Sequence, residues 1–330
     1  MTEPTIASPT FVRPDVAAFL GYLNNLPGPR THQMTVAEAR AAMLAMCDVA
    51  DPPRGELAVM RDIAIPGPAG PLPARLFGAR ASRAPGPAVV FFHGGGWVVG
   101  SVASHASLCA EMARQLDLPV ISVDYRLAPE APFPAAADDA EAAARWLAES
   151  PSVLERNVTG LVLSGDSAGG NLAIVTSVAL RDRPAAVPVI VQAPIYPATD
   201  ATRHYPSFDA FSEGYLLARE TMAWFGGHYR PDPEDARFSP LVGQVDGLPP
   251  AVIVAAGLDP LRDQARAYAA ALALAGVPVT YQEARGNIHG FATLRRAIPS
   301  SQHDLTTFLT AVAAAVAAAA RDIAKTGSAG

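Results

Sequence analysis

Cysteine is scarce, with two in 330 residues. Cys47 and Cys109 lie far apart and neither has a CxxC or CxxH partner, so no disulfide framework and no structural zinc site can be built on them. Both read as small buried hydrophobes. Charge is sparse as well: 17% of residues, 31 acidic against 25 basic, a net charge of -6 and no run of one sign. Without a basic stripe, nucleic acid is not an expected partner. Half the residues are apolar, which excludes a disordered chain. Long apolar runs are missing too. Phe308 to Ala320 is dominated by alanine and falls short of the roughly 20 residues of a spanning helix, so it reads as a packed C-terminal helix. Met1 to Pro14 carries Glu3, no Lys or Arg before Arg13 and no apolar run of signal-peptide length. A cytoplasmic location without membrane contact is therefore expected.

Glycine and proline are plentiful, 26 and 31 residues with no fixed period, which points to many turns between short elements. The length suggests two domains at about 150 residues each, although one α/β domain can also reach this size. Two helical patterns open the chain, Asp15 to Leu26 and a second that starts at Thr35 with capping-box spacing to Glu38. Strand-like segments Leu57 to Ile65 and Leu72 to Phe77 then flank the turn Pro66 to Gly70, as in an antiparallel hairpin.

Short apolar runs follow at Ala88 to Phe92, Val120 to Val123, Gly160 to Leu163, Val187 to Gln192, Ala251 to Ala255 and Val277 to Gln282. Between them lie helical stretches, which predicts an α/β fold with a mostly parallel sheet covered on both faces. Ligands of such sheets sit at the carboxyl ends of the strands. Residues 198–240 break the alternation, being aromatic and turn-rich without a clear strand, and suggest a segment inserted over the site.

The run Gly160 to Leu163 leads into Gly165-Asp-Ser-Ala-Gly169, a G-x-S-x-G nucleophile elbow in the strand-turn-helix setting that motif requires. An incidental serine in a glycine-rich turn is the plainer alternative. A second motif weighs against it: Ala88 to Phe92 is followed by His93-Gly-Gly-Gly96, a turn of the kind that supplies oxyanion-hole N-H groups. The phosphate-loop patterns G-x-x-x-x-G-K-S/T and G-x-G-x-x-G are absent from this turn.

A serine hydroxyl needs a base, and the base an orienting acid. His289 stands after the last predicted strand, in the loop Gly286 to Phe291, where the order Ser, Asp, His puts the base. The other six histidines, His105 among them, read as structural or solvated. Asp259 and Asp263 both follow the run Ala251 to Ala255; Asp259 lies nearer the strand end, whereas Asp263 opens the next helical stretch and suits a cap. Trp97 either lines a substrate pocket or simply packs.

Taken together, His93-Gly-Gly-Gly96, Tyr125-Arg-Leu-Ala-Pro-Glu130, Gly165-Asp-Ser-Ala-Gly-Gly170, Asp259-Pro-Leu-Arg-Asp263 and His289-Gly-Phe291 resemble the hormone-sensitive-lipase-like (bacterial family IV) carboxylesterases of the GDSAG subgroup. The resemblance spans roughly residues 57–319. It implies an α/β-hydrolase fold with an N-terminal helical cap in 1–51, a catalytic region in 52–330 and 198–240 as a second cap segment. It also implies hydrolysis of short- to medium-chain acyl esters through an acyl-enzyme, with no cofactor and no metal. Carried over by position, Ser167 is the nucleophile, His289 the base and Asp259 the acid, while the N-H groups of Gly95, Gly96 and Ala168 form the oxyanion hole. The implied partner is a small-molecule ester, and the protein would be a monomer or homodimer. A receptor derived from this fold would lack the histidine, and a dehalogenase or epoxide hydrolase would need aspartate at position 167. An amidase or peptidase side activity stays open.

Overall fold

A computed structural model describes residues 10–327. Residues 1–9, the start of the expected N-terminal segment, and 328–330, the end of the expected catalytic region, lie outside the described residues. The chain opens with helices α1 (Pro14–Asn25) and α2 (Val36–Ala50). Thr35 caps α2 as its spacing to Glu38 predicts: Thr35 Oγ1 accepts the Glu38 amide at 3.3 Å, and Glu38 Oε2 accepts the Thr35 amide at 2.8 Å. Next come β1 (Val59–Gly67) and β2 (Gly70–Gly78), a hairpin turning at Pro68 and Ala69.

The alternating part is β3 (Gly86–Phe92), α3 (Ala106–Leu116), β4 (Val120–Val123), α4 (Ala135–Ala148), β5 (Val158–Asp166), α5 (Ala168–Asp182) and β6 (Val189–Ile195). After it stand α6 (Pro206–Phe211) and α7 (Arg219–Tyr229), then β7 (Ala251–Leu258), α8 (Arg262–Leu274), β8 (Val279–Ile288) and α9 (Ser301–Gly327). The eight strands form one sheet in the order β1-β2-β4-β3-β5-β6-β7-β8. Only the β1/β2 and β2/β4 pairs are antiparallel.

Strand period sorts the core into two layers. On β3, Ala88, Val90 and Phe92 face α4 and α5, while Val89 and Phe91 face α3 and α9. On β7, Val252, Val254 and Ala256 join the α3/α9 layer, whereas Ala251 and Ile253 pack with Tyr268 and Leu272 of α8. Continuously apolar strands are buried on both sides, which explains their lack of polar alternation in the sequence. Cys47 and Cys109 are buried and free, and burial pushes the Cys47 thiol up to about 12.

Three sequence expectations need correction. The last strand does not stop near Gln282: pairing with β7 continues to Leu258 opposite Ile288, so 286–288 are strand and His289 follows directly. Gly286, at φ 75°, absorbs the irregularity that makes this stretch look like a loop in sequence. Residues 198–240 hold no strand, as their sequence suggests, but they add two helices that it did not mark. The C-terminal helix is also longer than expected. By length and composition its stretch Ser301–Arg321 could cross a membrane, the one such helix among the described residues, although 22% of that stretch is buried in the fold. Leu305, Phe308, Leu309 and Val312 form the buried stripe.

Candidate active site

β5 delivers Ser167 at its carboxyl end, at the start of α5, with φ 56° and ψ -116°. A non-glycine residue in this region is strained and is held by its surroundings: its amide donates to Ile195 O at 2.9 Å, and its carbonyl accepts the Asn171 amide at 3.0 Å. The neighbours must be small. A Cβ on Gly169 would overlap the carbonyl of Phe92, so the elbow closes against β3 only with glycine there.

β7 and β8 place the partners. His289 Nε2 stands 2.8 Å from Ser167 Oγ, and its Nδ1 lies 2.7 Å from Asp259 Oδ2. Asp259 is fully buried, and its other oxygen accepts the Leu261 amide at 2.8 Å. With the carboxylate on Nδ1, the neutral imidazole carries its proton there and leaves Nε2 free to accept the serine proton. Asp263 lies apart from this chain of bonds. It accepts the Ser207 amide at 2.9 Å and pairs with Arg262 and Arg266, so it ties α6 to α8; it is not the helix cap expected from sequence.

The glycine turn after β3 faces the elbow. Gly95 has φ 124°, and a Cβ there would overlap the carbonyl of Val99. Its carbonyl accepts the amides of Val98 at 3.1 Å and Val99 at 2.9 Å, which folds the turn back on itself. The amides of Gly95 and Gly96 make no hydrogen bond within the described residues, and Ala168 is the first residue of α5, where an N-H has no intrahelical acceptor.

The family profile that matches residues 89–293 is described as α/β hydrolase fold. A carboxylic ester hydrolase, LipN of Mycobacterium tuberculosis, is 41% identical over 269 residues, 78% of this chain and 71% of its own. Carboxylesterase NlhH of the same organism is 35% identical over 312 residues, covering 91% and 95% of the two chains. A solved ester hydrolase from the Lake Arreo metagenome superposes with a TM-score of 0.87 at 36% identity, over 92% of this chain and 98% of that one. The chain belongs to the hormone-sensitive-lipase-like carboxylesterases.

In this esterase a buried polar layer supports the turn and the elbow. Asp166, next to Ser167, is 4% exposed; its Oδ1 accepts the Gly94 amide at 2.7 Å and lies 3.1 Å from Nε2 of the fully buried His105. Burial alone would disfavour both charges, but each partner outweighs it: His105 and the Gly94 amide hold Asp166 below the usual carboxylate range, and Asp166 raises His105. His93 is the opposite case. Burial and the neighbouring His105 take it down to about 3, so it is neutral, its Nδ1-H bonded to Gly94 O at 2.9 Å and its ring stacked on Tyr125 at 4.3 Å. The Tyr125 hydroxyl donates to His93 O at 2.7 Å.

Arg40 of α2 reaches the same turn, donating to Val98 O at 2.9 Å and Ala128 O at 3.0 Å while pairing with Glu130 at 2.7 Å. Its guanidinium holds Glu130 down to about 2. Sequence inspection gave no signal for Arg40, and it set His105 aside as structural or solvated.

A cavity of about 510 Å³ opens beside Ser167, lined by Gly96, Trp97 and Ala168 and by Phe208, Met222 and Phe225 from the 198–240 segment. Trp97 does both things left open by its position: it lines the cavity, and it stacks on Tyr229 at 4.7 Å with parallel rings. Among the described residues no group of three His, Cys, Asp or Glu side chains is placed to hold a metal ion.

Proposed function

We propose that this carboxylesterase hydrolyses short- to medium-chain acyl esters through an acyl-enzyme on Ser167. Ser167 Oγ attacks the ester carbonyl as its proton passes to His289 Nε2, and Asp259 holds the imidazole and stabilises the imidazolium. The carbonyl oxygen takes negative charge and is met by the amides of Gly95, Gly96 and Ala168; one such donor is worth about 2.7 to 4 kcal/mol. His289 then protonates the departing alcohol. Water, deprotonated by the same nitrogen, attacks the acyl-enzyme and releases the acid.

The observation that carries the proposal is the continuous path Ser167 Oγ to His289 Nε2 at 2.8 Å and His289 Nδ1 to Asp259 Oδ2 at 2.7 Å, beside glycine amides with no partner among the described residues. Residues 1–51 and 198–240 would act as the cap, and Trp97 as part of the substrate wall. The cap assignment draws on the packing of Val16 and Leu20 with Phe211 above Leu258 and Ile288. The reaction needs no cofactor, and it suits a cytoplasmic monomer or homodimer acting on a small-molecule ester. Hydrolysis of a p-nitrophenyl ester series, acetate through dodecanoate, is the test. The wild type should turn over the short members, and Ser167→Ala should lose a factor of about 10³ or more. A folded wild type inert on every ester would overturn the proposal.

A further inference from the structure

The cavity beside Ser167 is mostly apolar, with Phe208, Leu217, Met222, Phe225, Phe238 and Leu261 in its wall. One stretch departs from that pattern, where Asp200, Thr202, Arg203, His204, Tyr205 and Gln264 also line it; Arg203 and His204 are largely exposed and face Asp200 at 3.7 Å and Asp209 at 2.7 Å. Thr202 gives both its backbone amide, at 2.8 Å, and its hydroxyl, at 2.7 Å, to Asp200 Oδ1, and the Tyr205 hydroxyl donates to Asp200 Oδ2 at 2.7 Å. All of those hydrogens are therefore engaged by the carboxylate.

Gln264 is fixed in the opposite sense. Its Oε1 accepts the amides of Thr199 at 2.6 Å and Asp200 at 3.0 Å, which identifies the oxygen end, because an NH2 group cannot accept two N-H donors. Nε2, with two hydrogens, has no partner among the described residues, on a side chain of a residue only 8% exposed. This nitrogen is not one of the fully buried unpartnered polar atoms among the described residues, so it stays reachable from the cavity, where an acceptor on a bound ligand can take its hydrogens in place of water.

We propose that Gln264 is a specificity determinant: its Nε2 donates to an oxygen carried on the substrate limb that fills this cavity. The preferred esters then bear an ether, keto or hydroxyl oxygen on that limb in place of a plain hydrocarbon chain. A pocket built to donate a hydrogen bond rejects the analogue that lacks the acceptor more strongly than an apolar pocket discriminates one methylene. The inference rests on the proposal that Ser167 attacks esters bound here.

The test uses the full chain and a p-nitrophenyl ester of fixed length in which oxygen replaces one methylene, moved along the acyl chain one position at a time and compared with the plain ester; a parallel series varies the alcohol. The wild type should show a maximum in the ratio of oxygenated to plain kcat/KM at one position of one limb. In Gln264→Met, similar in length but without the donor, that maximum should fall about five- to tenfold, the size of one net hydrogen bond. Because the same side chain braces the 199–200 backbone, the effect is read as a ratio within one preparation, which cancels any difference in folded fraction. The wild-type profile is an independent measurement should the variant not fold. A flat wild-type profile on esters that are turned over, or a maximum that survives Gln264→Met, overturns the inference and leaves the Ser167 proposal standing. Absence of turnover on every ester overturns both.

Discussion

Two histidine-aspartate pairs adjoin the turn that carries Ser167, and they do different things. His289 and Asp259 meet at 2.7 Å, and the far nitrogen of the ring stands 2.8 Å from a serine hydroxyl at the cavity wall. His105 and Asp166 meet at 3.1 Å with the histidine fully buried, and its other nitrogen lies 2.9 Å from Ser104 Oγ. The chemistry of the pairs is alike; their connections differ. Both rings reach a serine hydroxyl through the other nitrogen, but Ser167 lines the cavity, whereas Ser104 is buried and not part of its wall, and the second carboxylate also takes the Gly94 amide and so fixes the shape of the turn. Pairing with a carboxylate thus does not identify a catalytic histidine. What separates the two is whether the serine at the other nitrogen opens on the cavity.

The largest expected effect breaks the first pair. His289→Ala should lower kcat on p-nitrophenyl butyrate by a factor of about 10³ or more, as removal of a triad member does, with a small change in melting temperature. Asp166→Asn should invert that pattern. It leaves the buried His105 without the carboxylate that favours its charged form, and breaking a buried ion pair this way destabilises by about 3 to 5 kcal/mol. Chemical denaturation reads this directly; a loss below about 1 kcal/mol would mean that the pair is not ionised in the folded protein.

The second pair also sets a pH signature. Asp166 is lowered from its ordinary 3.8, so its contribution to stability is present above that value and is lost as pH falls through the folded pKa. His105 is raised from 6.5, so its contribution is complete below 6.5 and is lost as pH rises through the folded value. Both contributions are full only between these limits. The melting temperature of wild type minus that of His105→Gln should therefore be largest between pH 3.8 and 6.5 and should shrink on the alkaline side. A difference independent of pH would show that His105 acts by packing alone.

The residues proposed for catalysis were legible in sequence because their requirements are local. A serine in a tight strand-to-helix turn needs glycines on either side, and an oxyanion turn needs residues without side-chain bulk, so Gly165, Gly169, Gly95 and Gly96 mark the site by what they exclude. Asp259 and His289 were found because strand ends order them along the chain. His105 and Asp166 carry no such mark: 61 positions separate them, and only the packing of α3 beneath the glycine turn brings them together. Arg40 is hidden for the same reason, since its acceptors Val98 O and Ala128 O are backbone atoms that any sequence would supply. The extension of β8 through Gly286 and the helices α6 and α7 were missed because glycine, proline and aromatic clusters read as turns until a neighbouring strand or helix fixes them.

The smallest expected effect concerns the acid that lost the comparison. Asp263 sits four residues from Asp259, in the first turn of α8, with its side chain 14% exposed, so a carboxylate near the site is not by itself an argument for either. Its oxygens are already engaged by the Ser207 amide and by Arg262 and Arg266, and burial, which would raise it, is outweighed by these partners. Asp263→Asn keeps an acceptor for Ser207 and loses the charge, so stability should fall by about 1 kcal/mol while kcat on a short ester stays within about threefold of wild type. Asp259→Asn, with the same change of charge, should lower kcat by about 10³ or more because the imidazole loses the acceptor that sets its tautomer. Measured side by side on titrated active sites, similar losses in both variants would mean that the two carboxylates share the orienting role, and the geometry at His289 Nδ1 would then not suffice to assign it.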